Sequence, residues 1–142
     1  MIKTAQALDQ AGIPYMITGS VASSLQGEPR STHDIDIVVE VLEKDIAALA
    51  EAFPPGNFFL DQHSVREAIK KRGMFNLIDL TEGDKVDFWL LTGEPFDRSR
   101  FGRRIKEYFD GHGVWVSSPE DTILMKLRWA QMMGGSEKQH QD

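Results

Sequence analysis

The segment His33-Asp34-Ile35-Asp36-Ile37-Val38-Val39 places the tightest constraint on this chain. Its isoleucines and valines ask for a β-strand. Side chains alternate along a strand, so Asp34 and Asp36 share one face while Ile35, Ile37 and Val39 take the other. The apolar face needs a core to cover it. The acidic face holds two like charges roughly 7 Å apart at Cα. Either that face is open and the acids are solvated, or a divalent cation sits between them. Carboxylate oxygens suit Mg²⁺, which completes its shell with waters and substrate phosphates.

A chain of 142 residues, 41% hydrophobic and 27% charged, is long enough for one soluble domain with a real core. The absence of cysteine excludes disulfides and thiolate metal sites and suits a reducing cytoplasm. The N-terminal MIKTAQALDQ is too polar for a signal peptide, and no apolar run reaches the length of a membrane span. The expected location is cytoplasmic, with no membrane partner. A net charge of −6 argues against a general nucleic-acid binder. Residues 98–106, RSRFGRRIK, nevertheless hold five basic residues and no acid. They read as a solvated loop or strand edge, with contact to a phosphate backbone as the sharper alternative.

Helices and strands interleave. Helices are expected over residues 2–11, 20–26, 43–53 and 62–72, the first ended by Gly12 and the last by Gly73. Strands are expected over 14–18, 34–41 and 57–60. MFNLIDL and KVDFWLL read as a hairpin around TEGD, and 104–109 with 113–117 as another around DGHG. Ser118-Pro119-Glu120-Asp121 starts a last helix with a serine cap, an early proline and acids in the first turn. Two hairpins among alternating elements imply an α/β (α+β) fold with a mixed sheet flanked by helices.

Three further features carry chemistry. Gly19-Ser20 lies between an expected strand and an expected helix, where glycine permits close approach and free N–H groups can hold an anion; a plain turn and cap is the simpler reading. Lys85-Val86-Asp87 opens a strand that continues Phe-Trp-Leu-Leu, and an acid heading so apolar a run is costly unless paired or metal-bound. If that strand neighbours the Asp34 strand, three carboxylates converge. Lys126 sits in an apolar helical stripe with Ile123, Ala130 and Met133, either snorkelling or meeting an anion. His33 reads as structural and His112 as solvent-facing. Trp89, Trp115 and Trp129 are expected to fill the core rather than stack a base.

In this order, Gly19-Ser20, Asp34-x-Asp36 and Asp87 resemble the motifs of the DNA polymerase β-like nucleotidyltransferase superfamily. Lys85-x-Asp87, the approach Arg30-Ser31-Thr32-His33, and Lys126 followed by Asp142 resemble the minimal nucleotidyltransferases of the AbiEii type, toxins of toxin–antitoxin systems. The resemblance spans residues 13–142. It implies a nucleotidyltransferase fold in one domain over residues 1–142, shortened at its C-terminal end relative to that group. It also implies Mg²⁺, a nucleoside triphosphate donor, and an RNA, protein or small-molecule hydroxyl as acceptor, with an antitoxin as a further partner. Asp34 and Asp36 would bind metal. Asp87 would complete the metal site and act as general base. Gly19, Ser20, Lys85 and Lys126 would hold the nucleotide. Two other readings compete: a non-catalytic regulator of the same fold, and an acidic metal-binding protein of another fold in which Asp87 lies far from Asp36.

Overall fold

The computed structural model describes residues 2–18, 34–109 and 111–124. The chain begins with helix α1 (Ile2–Ala11) and strands β1 (Tyr15–Ile17) and β2 (Asp34–Val39). A 3-10 turn at Glu43–Asp45 leads into α2 (Ile46–Ala52), followed by β3 (Phe58–Leu60), α3 (Gln62–Lys71), β4 (Met74–Asp79) and β5 (Lys85–Leu90). Helix α4 (Pro95–Gly102) and the hairpin β6 (Ile105–Phe109) and β7 (His112–Val116) follow. Residues 119–124 are helical. The expectations for Gly19, Ser20, helix 20–26, His33, Lys126, Trp129 and Asp142 fall outside the described residues, as does the side chain of Asp34.

The strands form one mixed sheet in the order β3-β4-β5-β2-β1-β7-β6. β2 runs parallel to β5 and antiparallel to β1, and β1 runs parallel to β7. The hairpins β4–β5 and β6–β7 are antiparallel, as expected from the sequence. Helices α1, α2 and α3 cover one face through Ala5, Leu8, Ile46, Leu49, Val65 and Ala68. They pack on the strand residues that alternation turns inward, among them Ile35, Ile37, Val86 and Phe88. A smaller cluster of Met16, Val38, Leu91 and Phe101 forms on the opposite face, beneath α4.

Local chemistry sets the boundaries. Gly12 takes φ 73° immediately after α1, a conformation glycine adopts without steric penalty. Arg72, not Gly73, takes the left-handed position after α3, with φ 54°. Its guanidinium donates to the Leu91 carbonyl at 2.9 Å, which offsets the backbone strain. Ser118 accepts from the Asp121 N–H at 3.1 Å, giving the last helix the cap its sequence announces.

The basic stretch requires a correction. Ile105 and Lys106 do lie on an edge strand, β6, whereas residues 98–102 belong to α4, with Pro95 in its first turn. Its charges are taken up inside the molecule. Arg98 pairs with Glu40 at 2.9 Å, buried Arg100 lies 3.7 Å from Asp97, and Arg103 Nε donates to Asp121 at 3.0 Å. The Arg104 guanidinium lies over the rings of Phe101 and Trp115.

At the β4–β5 turn, Asp79 is buried. Its Oδ1 accepts from the Thr81 hydroxyl at 2.7 Å and from the backbone N–H groups of Thr81 and Glu82, while Lys3 Nζ lies 3.0 Å from Oδ2. Burial pushes this carboxyl up, but the bonds from Thr81, Lys3 and Glu82 together outweigh it and hold the group at about 2. A depressed carboxylate stabilises the fold above its unfolded value near 3.8 and loses that contribution as pH falls toward 2. Replacing Asp79 by Asn should therefore lower stability at pH 7 by on the order of 1–2 kcal/mol. The gap between wild type and variant should close between pH 4 and 2, as measured by urea unfolding across that range.

Candidate functional site

The central pairing of β2 with β5 sets Asp34 against Lys85, Asp36 against Asp87 and Val38 against Trp89. Register partners share a face, so Asp36, Val38, Lys85, Asp87 and Trp89 project together from the side opposite α1–α3. Adjacent strands lie roughly 4.8 Å apart, so Asp36 and Asp87 are immediate cross-strand neighbours. The reading that required Asp87 to lie far from Asp36 is thereby excluded. β4 extends the same row, with Asn76 opposite Asp87.

The two acids differ in environment. Asp36 is exposed, and one oxygen accepts from the Trp89 indole N–H at 3.2 Å. Asp87 is only 21% exposed, and its Oδ1 is buried with no hydrogen-bond partner among the described residues. Lys85 Nζ stands 3.7 Å from that oxygen, an ion pair beyond hydrogen-bond range. A buried carboxylate oxygen without a donor, beside a second carboxylate, has the donor chemistry of a hard-cation site. Thr18, the residue before Gly19, donates its N–H to the Asp36 carbonyl at 3.1 Å and so fixes the end of β1 against the acid strand.

The tryptophan expectation requires correction at one position. Trp89 is 47% exposed and belongs to the acid face. The signal was available: Asp87 and Trp89 are two residues apart in one strand, so a strand that turns Asp87 to the open face turns Trp89 there too. Asn76 was also missed, because a lone amide in a strand carries no pattern of its own.

A second acidic group lies elsewhere. Asp79, Glu82 and Asp84 each offer a carboxylate oxygen, all within 4.8 Å of one another, a spacing at which a metal ion could be held. Lys3 already bridges Asp79 and Glu82, at 3.0 and 3.8 Å, and Thr81 caps Asp79. That arrangement closes a turn, whereas the Asp36–Asp87 pair leaves an acceptor unmet among the described residues.

No family model matches the chain, and no curated protein matches it. Solved structures do. TM1012 of Thermotoga maritima, a candidate nucleotidyltransferase, aligns over 98% of this chain and 86% of its own, with a TM-score of 0.61 and 16% identity. An antigenic nucleotidyltransferase-like protein from Paracoccidioides brasiliensis aligns over 86% of this chain, with a TM-score of 0.53 and 23% identity. This chain spans 62% of that protein's length. The chain has a nucleotidyltransferase fold. At these identities the likeness establishes architecture alone, and the chemistry must come from the side chains above.

The unmet oxygen of Asp87 gives a test. Asp87→Asn removes a charge beside Asp36 and supplies an amide donor, so the metal-free melting temperature should hold or rise by a few degrees. The increase in melting temperature on adding Mn²⁺ or Mg²⁺ should disappear. A metal-induced increase as large in the variant as in wild type would remove Asp87 from the metal site.

Proposed function

We propose that the protein is a Mg²⁺-dependent nucleotidyltransferase that moves a nucleotidyl group from a nucleoside triphosphate to an acceptor hydroxyl. The observation that carries this reading is the in-register pair Asp36–Asp87, with a buried oxygen that has no donor among the described residues, on a sheet of nucleotidyltransferase architecture. Asp36 and Asp87 would hold the metal, with Asp34 as a third ligand from the same strand. When bound, Mg²⁺ would neutralise phosphate oxygens and the developing negative charge.

The chain's own groups have the remaining roles. The Trp89 N–H fixes the rotation of the Asp36 carboxylate, so less ordering is needed when ligands arrive. Lys85, half-exposed at the head of β5, supplies positive charge for phosphate beside Asp87. Gly19 and Ser20 follow Thr18 and are assigned to the triphosphate, and Lys126 to the nucleotide, on the motif resemblance. A carboxylate of the pair, Asp87 by that resemblance, takes the proton of the acceptor hydroxyl. Its oxygen then bonds to the α-phosphorus as the bond to the bridging oxygen breaks, and pyrophosphate leaves with that electron pair. The AbiEii-like Lys85-x-Asp87 motif supports the narrower role of a toxin held by an antitoxin.

Calorimetry with each nucleoside triphosphate and Mg²⁺, and transfer of an α-phosphate label, test the reading. Asp36→Asn with Asp87→Asn should abolish metal-dependent triphosphate binding and lower transfer at least about a hundredfold. Unchanged binding in the double variant would sink the assignment.

A further inference from the structure

Beside the acid pair lies a cleft of about 440 Å³. Its size falls within the roughly 300–1,000 Å³ typical of small-molecule sites. Asp36 lines it, and Val38, Leu91 and Trp89 give it apolar walls. Its charged lining residues among those described are two acids, Asp36 and Asp97, and two bases, Arg72 and Arg100. Most of these are engaged: Asp97 accepts from Thr92 at 2.6 Å and lies 3.7 Å from Arg100, and Arg72 donates to Leu91. Among the described residues the lining is electrically balanced, so it suits a neutral occupant better than a phosphate.

The site face has a polarity along β5. Lys85 lies at one end, Asp87 in the middle and Trp89 at the other. Phosphates favour the lysine end, and an apolar ring favours the tryptophan end. In an in-line displacement the attacking and leaving oxygens lie on opposite sides of the phosphorus. With the leaving pyrophosphate toward Lys85, the attacking hydroxyl comes from the cleft.

We propose that this cleft is the acceptor subsite and takes a small, uncharged, planar-ring compound carrying a hydroxyl, of the nucleoside class. The inference rests on the nucleotidyltransferase reading and names its acceptor. Two facts favour a small acceptor over a polyanion. The net charge is −6, and Arg98, Arg100, Arg103 and Arg104 are already engaged by partners within the protein. The acceptor hydroxyl gives its proton to the acid pair as its oxygen bonds to the α-phosphorus, and pyrophosphate departs.

The test uses the full chain with adenosine as the probe, binding being read by calorimetry or ligand-observed NMR and folding by melting temperature. Trp89→Leu removes the ring and should weaken adenosine at least about fivefold. Trp89→Phe keeps a ring and loses the N–H to Asp36, so adenosine binding should fall less than about threefold while Mn²⁺ affinity drops about tenfold. Mg²⁺–ATP and adenosine should bind together. Equal adenosine affinity in wild type and Trp89→Leu would overturn the cleft assignment, as would displacement of adenosine by ATP, which would give the cleft to the donor's base. A single-stranded RNA hexamer labelled far faster than adenosine would overturn the small-acceptor class. ATP binding with no adenosine binding would defeat this inference alone. Adenosine binding with no metal-dependent ATP binding would defeat the transfer reading itself.

Discussion

Two carboxylates side by side at the centre of the sheet repel, and the rest of the molecule holds them there. Two unit charges at the roughly 5 Å spacing of adjacent strands would repel by about 3 kcal/mol at an effective dielectric of 20. On the reverse face of the same two strands, Ile35, Ile37, Val86 and Phe88 are buried against the helices. At about 1.5–3 kcal/mol for each side chain, that burial exceeds the repulsion severalfold. The parallel pairing of β2 with β5 is thus set by the apolar face, and the acidic face follows it. A cation between the acids would convert the local penalty into a binding energy.

The two faces of the sheet divide the work. One is covered by three helices and is mainly apolar, with the buried Asp79 paired to Lys3 at its edge. Among the described residues, the other is covered where α4 meets Met16, Val38 and Leu91. α4 can pack there because its basic residues find partners: Asp97 within the helix for Arg100, and Glu40 beyond β2 for Arg98. A stretch that looks like a binding patch in one dimension acts mainly as a fastening in three. It also forms part of the wall of the cleft next to Asp36.

Strong periodicity made most elements legible. The alternation in DIDIVV and KVDFWL, the turn residues of TEGD and DGHG, and the Ser118 cap all act locally, so the chain carries them without reference to the fold. α4 was hidden because PFDRSRFG has no continuous apolar stripe; its helix depends on packing Phe101 and pairing its arginines. The exposure of Trp89 was hidden for the opposite reason. A tryptophan in an apolar run looks like core until its parity with Asp87 is considered.

The sequence by itself determined which residues share a face: Asp34 with Asp36, and Asp87 with Trp89, because strand geometry has a period of two. It also determined where chains of strand formers must end, because glycine and capping residues act within a few bonds. Only the tertiary structure decided that β2 and β5 are neighbours, with Asp36 opposite Asp87. Strand pairing is a long-range choice, settled by how two apolar faces more than 45 residues apart fit under the same helices. The Trp89–Asp36 hydrogen bond and the cleft beside it follow from that choice.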